Sequence, residues 1–365
     1  MKIMTVLGTR PEIIRLSVII RQLDAHTKHT LVHTGQNYAE SLNDIFFRDL
    51  GVRPPDHSLG IRSEWTGEQI GRIIAETEKL IVSERPDRLL ILGDTNSGLA
   101  AIPAKRHGVP VYHMEAGNRC YDDRVPEEIN RRIIDHTSDV LMPYTQRSKE
   151  NLVREGIARE RIFVTGNPIN EVLEHYAPQI GSTTVFDRLR LKAGQYFLVT
   201  MHRSENVDVE SRLRGLVEAI RRLAQAYRMP VVCSLHPRTK HMMSRYGVQL
   251  DDPLVQWLTP LGFFDFVALE RSARCVLSDS GTVQEECCIF RVPNLTIRDV
   301  TERPETIESG SNVLSGADPE RLLALVDMLV KRTSQWTIPP EYLQTDVSTT
   351  VLKILLGYRH AETAR

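Results

Sequence analysis

His113-Met-Glu-Ala-Gly-Asn-Arg-Cys-Tyr-Asp-Asp-Arg-Val-Pro-Glu-Glu-Ile-Asn-Arg-Arg132 decides how the rest of the chain is read. It follows an apolar run, Val109 to Tyr112, with the length of a buried parallel strand, so Glu115 falls at that strand's carboxyl end. In open α/β sheets ligands bind outside that edge. Pro126 suits the first position of a helix, with Glu127 and Glu128 in its first turn. Glu115 and Glu127 thus approach one cleft from two elements, a common construction for acid–base pairs. The same residues have a plainer use. Glu127 with Arg131 and Glu128 with Arg132 are spaced as helix-stabilising pairs, a reading that weighs most for Glu128. The stretch marks a site and names no reaction.

Outward from it, strands and helices alternate. Ile3–Leu7 reads as a strand, and Gly8-Thr9-Arg10-Pro11-Glu12 turns into a helix that reaches about Leu23. Leu31–His33 is a second strand, before Thr34-Gly35-Gln36-Asn37-Tyr38. Ile70, Ile73, Ile74, Leu80 and Ile81 mark one face of a helix. Leu89–Leu92 runs into Gly93-Asp94-Thr95, and Ile162–Val164 with Gly166-Asn167-Pro168 closes the first half. Composition then turns to Pro, Gly, Ser and Thr at Ala177–Thr184, which suits a linker. The alternation restarts. Phe197–Thr200 precedes Met201-His202-Arg203, and Val231–Leu235 precedes His236-Pro237-Arg238. Cys275–Ser278 precedes Asp279-Ser280-Gly281-Thr282, and Leu295–Ile297 precedes Arg298. This is a doubly wound α/β pattern used twice, and two such sheets with facing carboxyl edges would enclose one cleft. A terminal helix at about Ser348–Leu356 carries Val351, Ile354 and Leu355 on one stripe that must pack on something.

A chain of 365 residues exceeds one typical core, so two domains are expected. A net charge of −1 gives no electrostatic reason for a nucleic acid or an anionic membrane as partner. Five cysteines, with Cys287 and Cys288 adjacent and no C-x-x-C, read as reduced thiols of a cytoplasmic protein. No Cys/His spacing suggests a metal site.

Ser280–Thr282 forms a small-residue turn at a helix start, where backbone N–H groups suit a phosphate, although a plain helix cap would look the same. Glu286, one turn on, is placed to accept hydrogen bonds from ribose hydroxyls, and Arg10, Arg298 and Arg303 supply guanidinium groups that grip phosphate with two parallel bonds. There is no Walker lysine motif and no G-x-G-x-x-G at Gly8, which disfavours nucleoside triphosphate hydrolysis and a bound dinucleotide. His202 and His236 follow strands as candidate proton carriers or phosphate donors, with capping or solvent roles as the alternative. His113 reads as part of its strand.

Gly8-Thr9-Arg10-Pro11-Glu12, Gly93-Asp94-Thr95, Glu115-Ala116-Gly117, Pro126-Glu127-Glu128, His202-Arg203, Asp279-Ser280-Gly281 and Glu302-Arg303-Pro304-Glu305, in this order, closely resemble the non-hydrolysing UDP-N-acetylglucosamine 2-epimerases. The resemblance covers nearly the whole chain. It implies two Rossmann-like domains of the glycosyltransferase-B type facing across a cleft, residues 1–167 and 168–346, with the C-terminal helix at about 347–365 packing back on the first. It implies a UDP-sugar substrate, no cofactor, a homodimer, and an elimination of UDP across C1–C2 followed by re-addition.

By the same resemblance Asp94, Glu115, Glu127 and His202 are catalytic. Arg10, Arg15, His236, Phe266, Ser280, Gly281, Thr282, Glu286 and Arg303 bind substrate or UDP. Three positions depart from the family's pattern: Thr282 stands where a second glycine is commoner, Leu261 where a polar residue is, and Ser204 where glutamate is. Ile45-Phe46-Phe47, Pro55-Asp56-His57 and the His113–Arg132 stretch resemble the branch that makes UDP-N-acetyl-L-fucosamine for surface polysaccharide. A hydrolysing 2-epimerase, a glycosyltransferase of the same fold and a non-catalytic UDP-sugar sensor are the alternatives. The sensor would not need four proton-handling groups.

Overall fold

The structure, a computed structural model, describes residues 1–35, 46–331 and 335–359. Gln36-Asn37-Tyr38, Ile45 of the branch motif and residues 360–365 of the expected terminal helix lie outside the described residues. The chain divides into two compact units, one of Met1–His175 with the chain from Pro340 onward, the other Tyr176–Pro339.

The first unit is built on β1 (Lys2–Leu7), β2 (Lys28–His33), β3 (His57–Ser58), β4 (Arg88–Leu92), β5 (Val111–Met114) and β6 (Val140–Met142). These form one sheet in the order β3-β2-β1-β4-β5-β6, with every pairing parallel. A parallel sheet covered on both faces needs near-continuous apolar strands, and all of β4 is buried. Met4, Val6, Leu89, Ile91 and Val111 pack there with Ala100, Ala101, Ala104 and Ile134. The β5 strand starts two residues later than the run from Val109 suggests. Pro110 has no N–H for the ladder and contributes only its carbonyl, which accepts from Leu89 N at 2.9 Å. His113 therefore lies inside the strand and Glu115 directly beyond it.

Two other expectations need correction. Ile162–Val164 is not a strand: it makes a single bridge, Leu141 to Ile162, and Pro143 cannot donate to extend the pairing. The proposed linker is also not irregular. Pro178 sits in the first turn of the short helix Ala177–Gly181, and Val185–Leu189 follows, with Ile180 and Val185 buried. The two compact units divide at His175–Tyr176, and helix Ile169–His175 packs on helix Arg10–His26.

The terminal helix Val347–Gly357 also packs on helix Arg10–His26. Glu171 accepts from Ser348 N at 2.8 Å, Arg88 donates to Leu355 O, and the Tyr112 hydroxyl donates to Tyr358 O at 2.6 Å.

The second unit repeats the plan. Its strands are β7 (Phe197–Met201), β8 (Val231–Leu235), β9 (Val255–Leu258), β10 (Cys275–Ser278), β11 (Asn294–Thr296) and β12 (Asn312–Leu314). They form a parallel sheet in the order β12-β11-β10-β7-β8-β9. Leu213, Leu216, Ile220 and Leu223 of helix Glu210–Tyr227 and Leu322, Val326 and Leu329 of helix Pro319–Lys331 cover it. Strand order reverses between β1 and β4 in one unit and between β7 and β10 in the other. Such reversals open a crevice at the carboxyl edge of a sheet.

Candidate functional site

At the first reversal, β1 ends in the turn that opens helix Arg10–His26, and β4 ends in Gly93-Asp94. Glu12 ties the two loops together: its carboxylate accepts from Gly8 N at 3.0 Å, Thr9 N at 2.7 Å and Thr95 Oγ1 at 3.1 Å. Burial raises its pKa to about 7 against those four donors, which include the Thr9 hydroxyl. Arg10 leans over the Phe46 ring at 5.6 Å.

Glu115 follows β5 with φ of 64°, a left-handed backbone. Its carboxylate is paired with Arg15, accepts from Tyr144 Oη at 3.3 Å and Asn118 Nδ2 at 3.2 Å, and is almost fully buried. A Cβ on Gly93 would stand 3.6 Å from Glu115 Oε2, so this carboxylate lies against the residue preceding Asp94. Arg131 holds Asp94 through Nε at 2.8 Å, and the Asp94 side chain keeps 25% of its surface exposed. The structure thus brings Asp94 and Glu115 together at one sheet edge, each on its own guanidinium. Arg15, which the resemblance assigns to the nucleotide, is paired with Glu115.

Glu127 is half-buried in the first turn of helix Pro126–Thr137. Glu128 is fully buried and turned back on the preceding loop, accepting from Cys120 N and Tyr121 N, both at 3.1 Å. Arg131 Nη1 at 2.6 Å and Arg132 Nη2 at 3.4 Å complete its partners. Burial would raise its pKa, but the Cys120 N–H and the Arg131 charge bring it below the ordinary value. Glu128 makes the expected pair with Arg132 and, beyond that reading, anchors the preceding loop.

At the second reversal, β7 ends before His202 and β10 before Asp279. Asp279 is fully buried and receives His202 Nδ1 at 3.0 Å, His202 N at 2.9 Å, Arg203 N at 3.0 Å and Asn206 Nδ2 at 3.1 Å. Burial opposes its charge, yet His202 and these N–H groups hold its carboxyl well below the usual carboxylate range. With Nδ1 fixed, His202 is oriented to work through Nε2, and its side chain is 34% exposed. The His236 ring lies 5.7 Å from it. His236 Nδ1 also accepts from Arg238 N at 3.2 Å, capping helix Pro237–Arg245.

Ser280 is the cap of helix Gly281–Phe290, and its hydroxyl meets Thr282 Oγ1 at 2.9 Å. A Cβ on Gly281 would come within 2.7 Å of Glu302 Oε1 and 3.6 Å of the Arg303 guanidinium, so the glycine lets both groups close on the turn. Arg303 is buried, with Nε on Glu285 and Nη1 on Glu302 O at 3.3 Å, a more tightly held guanidinium than the sequence suggested. Arg298 is buried between Glu205 at 3.1 Å and Glu302 at 2.8 Å. Glu286 is buried beside Glu270, whose carboxyl is pushed well above its ordinary value by burial and by Glu286. Phe266 is half-buried on helix Phe263–Arg271.

Sequence reasoning missed the supports, Glu12, Arg131 and Asp279. Each lies inside a quoted motif; Glu12 closes a capping box that the Thr9-x-x-Glu12 spacing could have signalled, whereas Arg131 meets Asp94 and Asp279 meets His202 only in the tertiary structure. Among the described residues no cluster of three His, Cys, Asp or Glu side chains is set to hold a metal ion. No helix among them is long and apolar enough to cross a membrane.

Residues 21–356 match the family described as UDP-N-acetylglucosamine 2-epimerase. The chain is 41% identical over 349 residues to the UDP-N-acetylglucosamine 2-epimerase of Methanocaldococcus jannaschii, covering 93% of this chain and 95% of that one. It is 36% identical over 338 residues to the UDP-2,3-diacetamido-2,3-dideoxy-D-glucuronate 2-epimerase of Pseudomonas aeruginosa, covering 92% and 94%. The fold matches the crystal structure of Methanocaldococcus jannaschii UDP-GlcNAc 2-epimerase in complex with UDP-GlcNAc and UDP at a TM-score of 0.93, with 38% identity and 98% and 99% of the two chains covered. With the motifs standing at the two sheet reversals, this chain belongs to the UDP-N-acetylglucosamine 2-epimerase family.

Proposed function

We propose that the protein is an isomerase of the non-hydrolysing type, inverting C2 of a UDP-linked 2-acetamido sugar by elimination and re-addition of UDP. The observation that carries this reading is the pair Asp94 and Glu115 at one sheet edge, each set on its own arginine. The C2 proton has no neighbouring carbonyl to acidify it, so removing it requires a leaving group on C1. A base takes the proton, the C2–H electrons form the C1–C2 double bond, and UDP departs with the C1–O pair. The products of this half are a 2-acetamidoglycal and UDP. In the return half a proton reaches C2 on the opposite face and a UDP oxygen closes on C1. Two faces need proton-handling groups on both, a demand that Asp94, Glu115 and Glu127 of the first unit and His202 of the second meet in number and type. The Ser280–Thr282 turn, Arg10, Arg303 and Glu286 are assigned to UDP, with Phe266 near the base and His236 near the phosphates.

The sugar itself we place as a 6-deoxy L-hexosamine, from the resemblance of loop Asn118–Val125 to the L-fucosamine branch. Where that loop lines the sugar site, a 6-deoxy sugar leaves no 6-hydroxyl buried without a partner, a cost of roughly 1–3 kcal/mol, so we expect about tenfold or greater preference over UDP-GlcNAc. The Pseudomonas aeruginosa relative is named for a 2,3-diacetamido glucuronate. Sugars within this family therefore differ at C3 and C6 while sharing C2.

The test is turnover in heavy water with each UDP-sugar, followed by NMR. Deuterium entering C2 with no acceptor present is the expected result, and UDP accumulating with free sugar would replace the reading by hydrolysis. Asp94→Asn, Glu115→Gln and Glu127→Gln should each slow turnover by about 10²-fold. Rates near wild type in all three would remove the assignment. Faster conversion of UDP-GlcNAc would overturn the sugar choice alone.

A further inference from the structure

We infer that His113 is an imidazolium strut, protonated on both ring nitrogens, that sets the spacing between the loops bearing Asp94 and Glu115, a positioning role that rests on the reading of those two carboxylates given above. The ring is 1% exposed and lies between two acceptors. Its Nε2 stands 2.8 Å from Gly93 O, and a carbonyl only accepts, so Nε2 carries a proton. Its Nδ1 stands 2.9 Å from Asp135 Oδ1.

Asp135 is fully buried, and its other oxygen takes Arg119 Nη1 at 2.8 Å and Gly117 N at 3.1 Å. A guanidinium and a backbone N–H on Oδ2 both donate, so Asp135 is held as the carboxylate. An ionised Asp135 makes Oδ1 a second acceptor for the ring. A neutral imidazole has one N–H, and this geometry uses two.

The charges around the ring close without excess. His113 and Arg119 are positive, and Asp135 and Glu155 are negative, with Glu155 gripping Arg119 at 2.6 Å and 2.7 Å and meeting the half-exposed His136 ring on its outer side at 3.4 Å. A buried ion pair of this kind persists only when its partners are matched and hydrogen-bonded. The charged groups nearby from other elements are Glu115 with Arg15, at the end of the same strand, and Asp94 with Arg131, beyond Gly93.

The strut joins three backbones. Gly93 is gripped at its carbonyl by His113 and at its N–H by Met114 O at 3.0 Å, which leaves Asp94 little latitude. On the other side Asp135 fixes Gly117 N, closing the turn that carries Glu115 at positive φ. Loss of the ring moves the Asp94 loop relative to Glu115. Of the groups assigned to UDP, the Ser280–Thr282 turn, Glu286 and Arg303 belong to the second unit and only Arg10 shares this sheet edge, so kcat falls more than KM rises.

The experiment is 15N NMR of histidine-labelled protein, with the His113 signal assigned by through-hydrogen-bond coupling to the Gly93 carbonyl. Both ring nitrogens protonated at neutral pH is the expected result. In Asp135→Asn, which removes the negative charge facing Nδ1, one ring nitrogen should lose its proton. In His113→Gln, kcat should fall about tenfold with KM for the UDP-sugar changed less than twofold. An unprotonated ring nitrogen in the wild-type protein overturns the inference even where no variant folds, and so does an unchanged kcat in His113→Gln. Absence of deuterium at C2 in wild-type turnover would sink the epimerase reading while leaving the charge of the ring standing.

Discussion

Glu12→Gln should make the protein more stable, by an amount that grows with pH. Glu12 is buried under the turn between β1 and its helix, and burial lifts its pKa from the ordinary 4.5 to about 7. In the unfolded chain the carboxyl loses its proton near 4.5, whereas in the folded chain it keeps it until about 7. Between these values the folded state holds more protons, so folding stability falls as pH rises through the window and levels off above it. At about 1.4 kcal/mol per unit, the gap amounts to ~3 kcal/mol.

Glutamine fits the same four donors. Its oxygen takes the place of Oε2 under Gly8 N, Thr9 N and Thr9 Oγ1, and its amide faces the Thr95 hydroxyl, which turns to accept. The variant titrates nowhere in this range. Calorimetry of both proteins from about pH 4.5 to 8 should show the variant gaining ~3 kcal/mol on the wild type, most of it below about pH 7. Two melting curves that move in parallel with pH would refute the account, since Glu12 would then be no more buried in charge than in the unfolded chain.

Other expectations are briefer. Gly117→Ala sets a Cβ 2.2 Å from Ser148 O at φ of 81°, so it should lose about 3 kcal/mol or more, and an unchanged Tm would contradict the packing. Dialysis against a chelator should leave turnover intact, and restoration of a lost rate by one divalent ion would overturn that. Light scattering should give twice the 41.6 kDa chain mass, as the family resemblance implies, and a monomer would remove the homodimer.

The sheet edges were legible in the sequence because every long apolar run ends in polar or glycine residues, a pattern that survives errors of one or two residues in strand limits. The β5 strand shifted by two residues, and Glu115 still stands at its end. The short strands were hidden. Val140–Met142 and Asn312–Leu314 have three residues each, too few for any period to register. The Pro and Gly of the supposed linker are consistent with a loop or a helix start, and only the burial of Ile180 and Val185 separates the two. Candidate acids and bases were readable as residue types in motifs. Their partners were not, since Arg15 reaches Glu115 and Arg131 reaches Asp94 across gaps in sequence that no local pattern records.

The first unit is made from both ends of the chain, and this orders events during synthesis. A growing chain has made β1 to β6 long before helix Val347–Gly357 emerges from the ribosome. Until then Arg88, buried against the Tyr112 ring at 5.2 Å, lacks the Leu355 carbonyl it donates to, and Glu171 lacks the helix start it caps. The second unit is one uninterrupted segment, and all of it precedes that helix in the chain. The half of the protein that is translated first is therefore the half completed last, since the face of helix Arg10–His26 that the final helix covers stays bare until that helix is made.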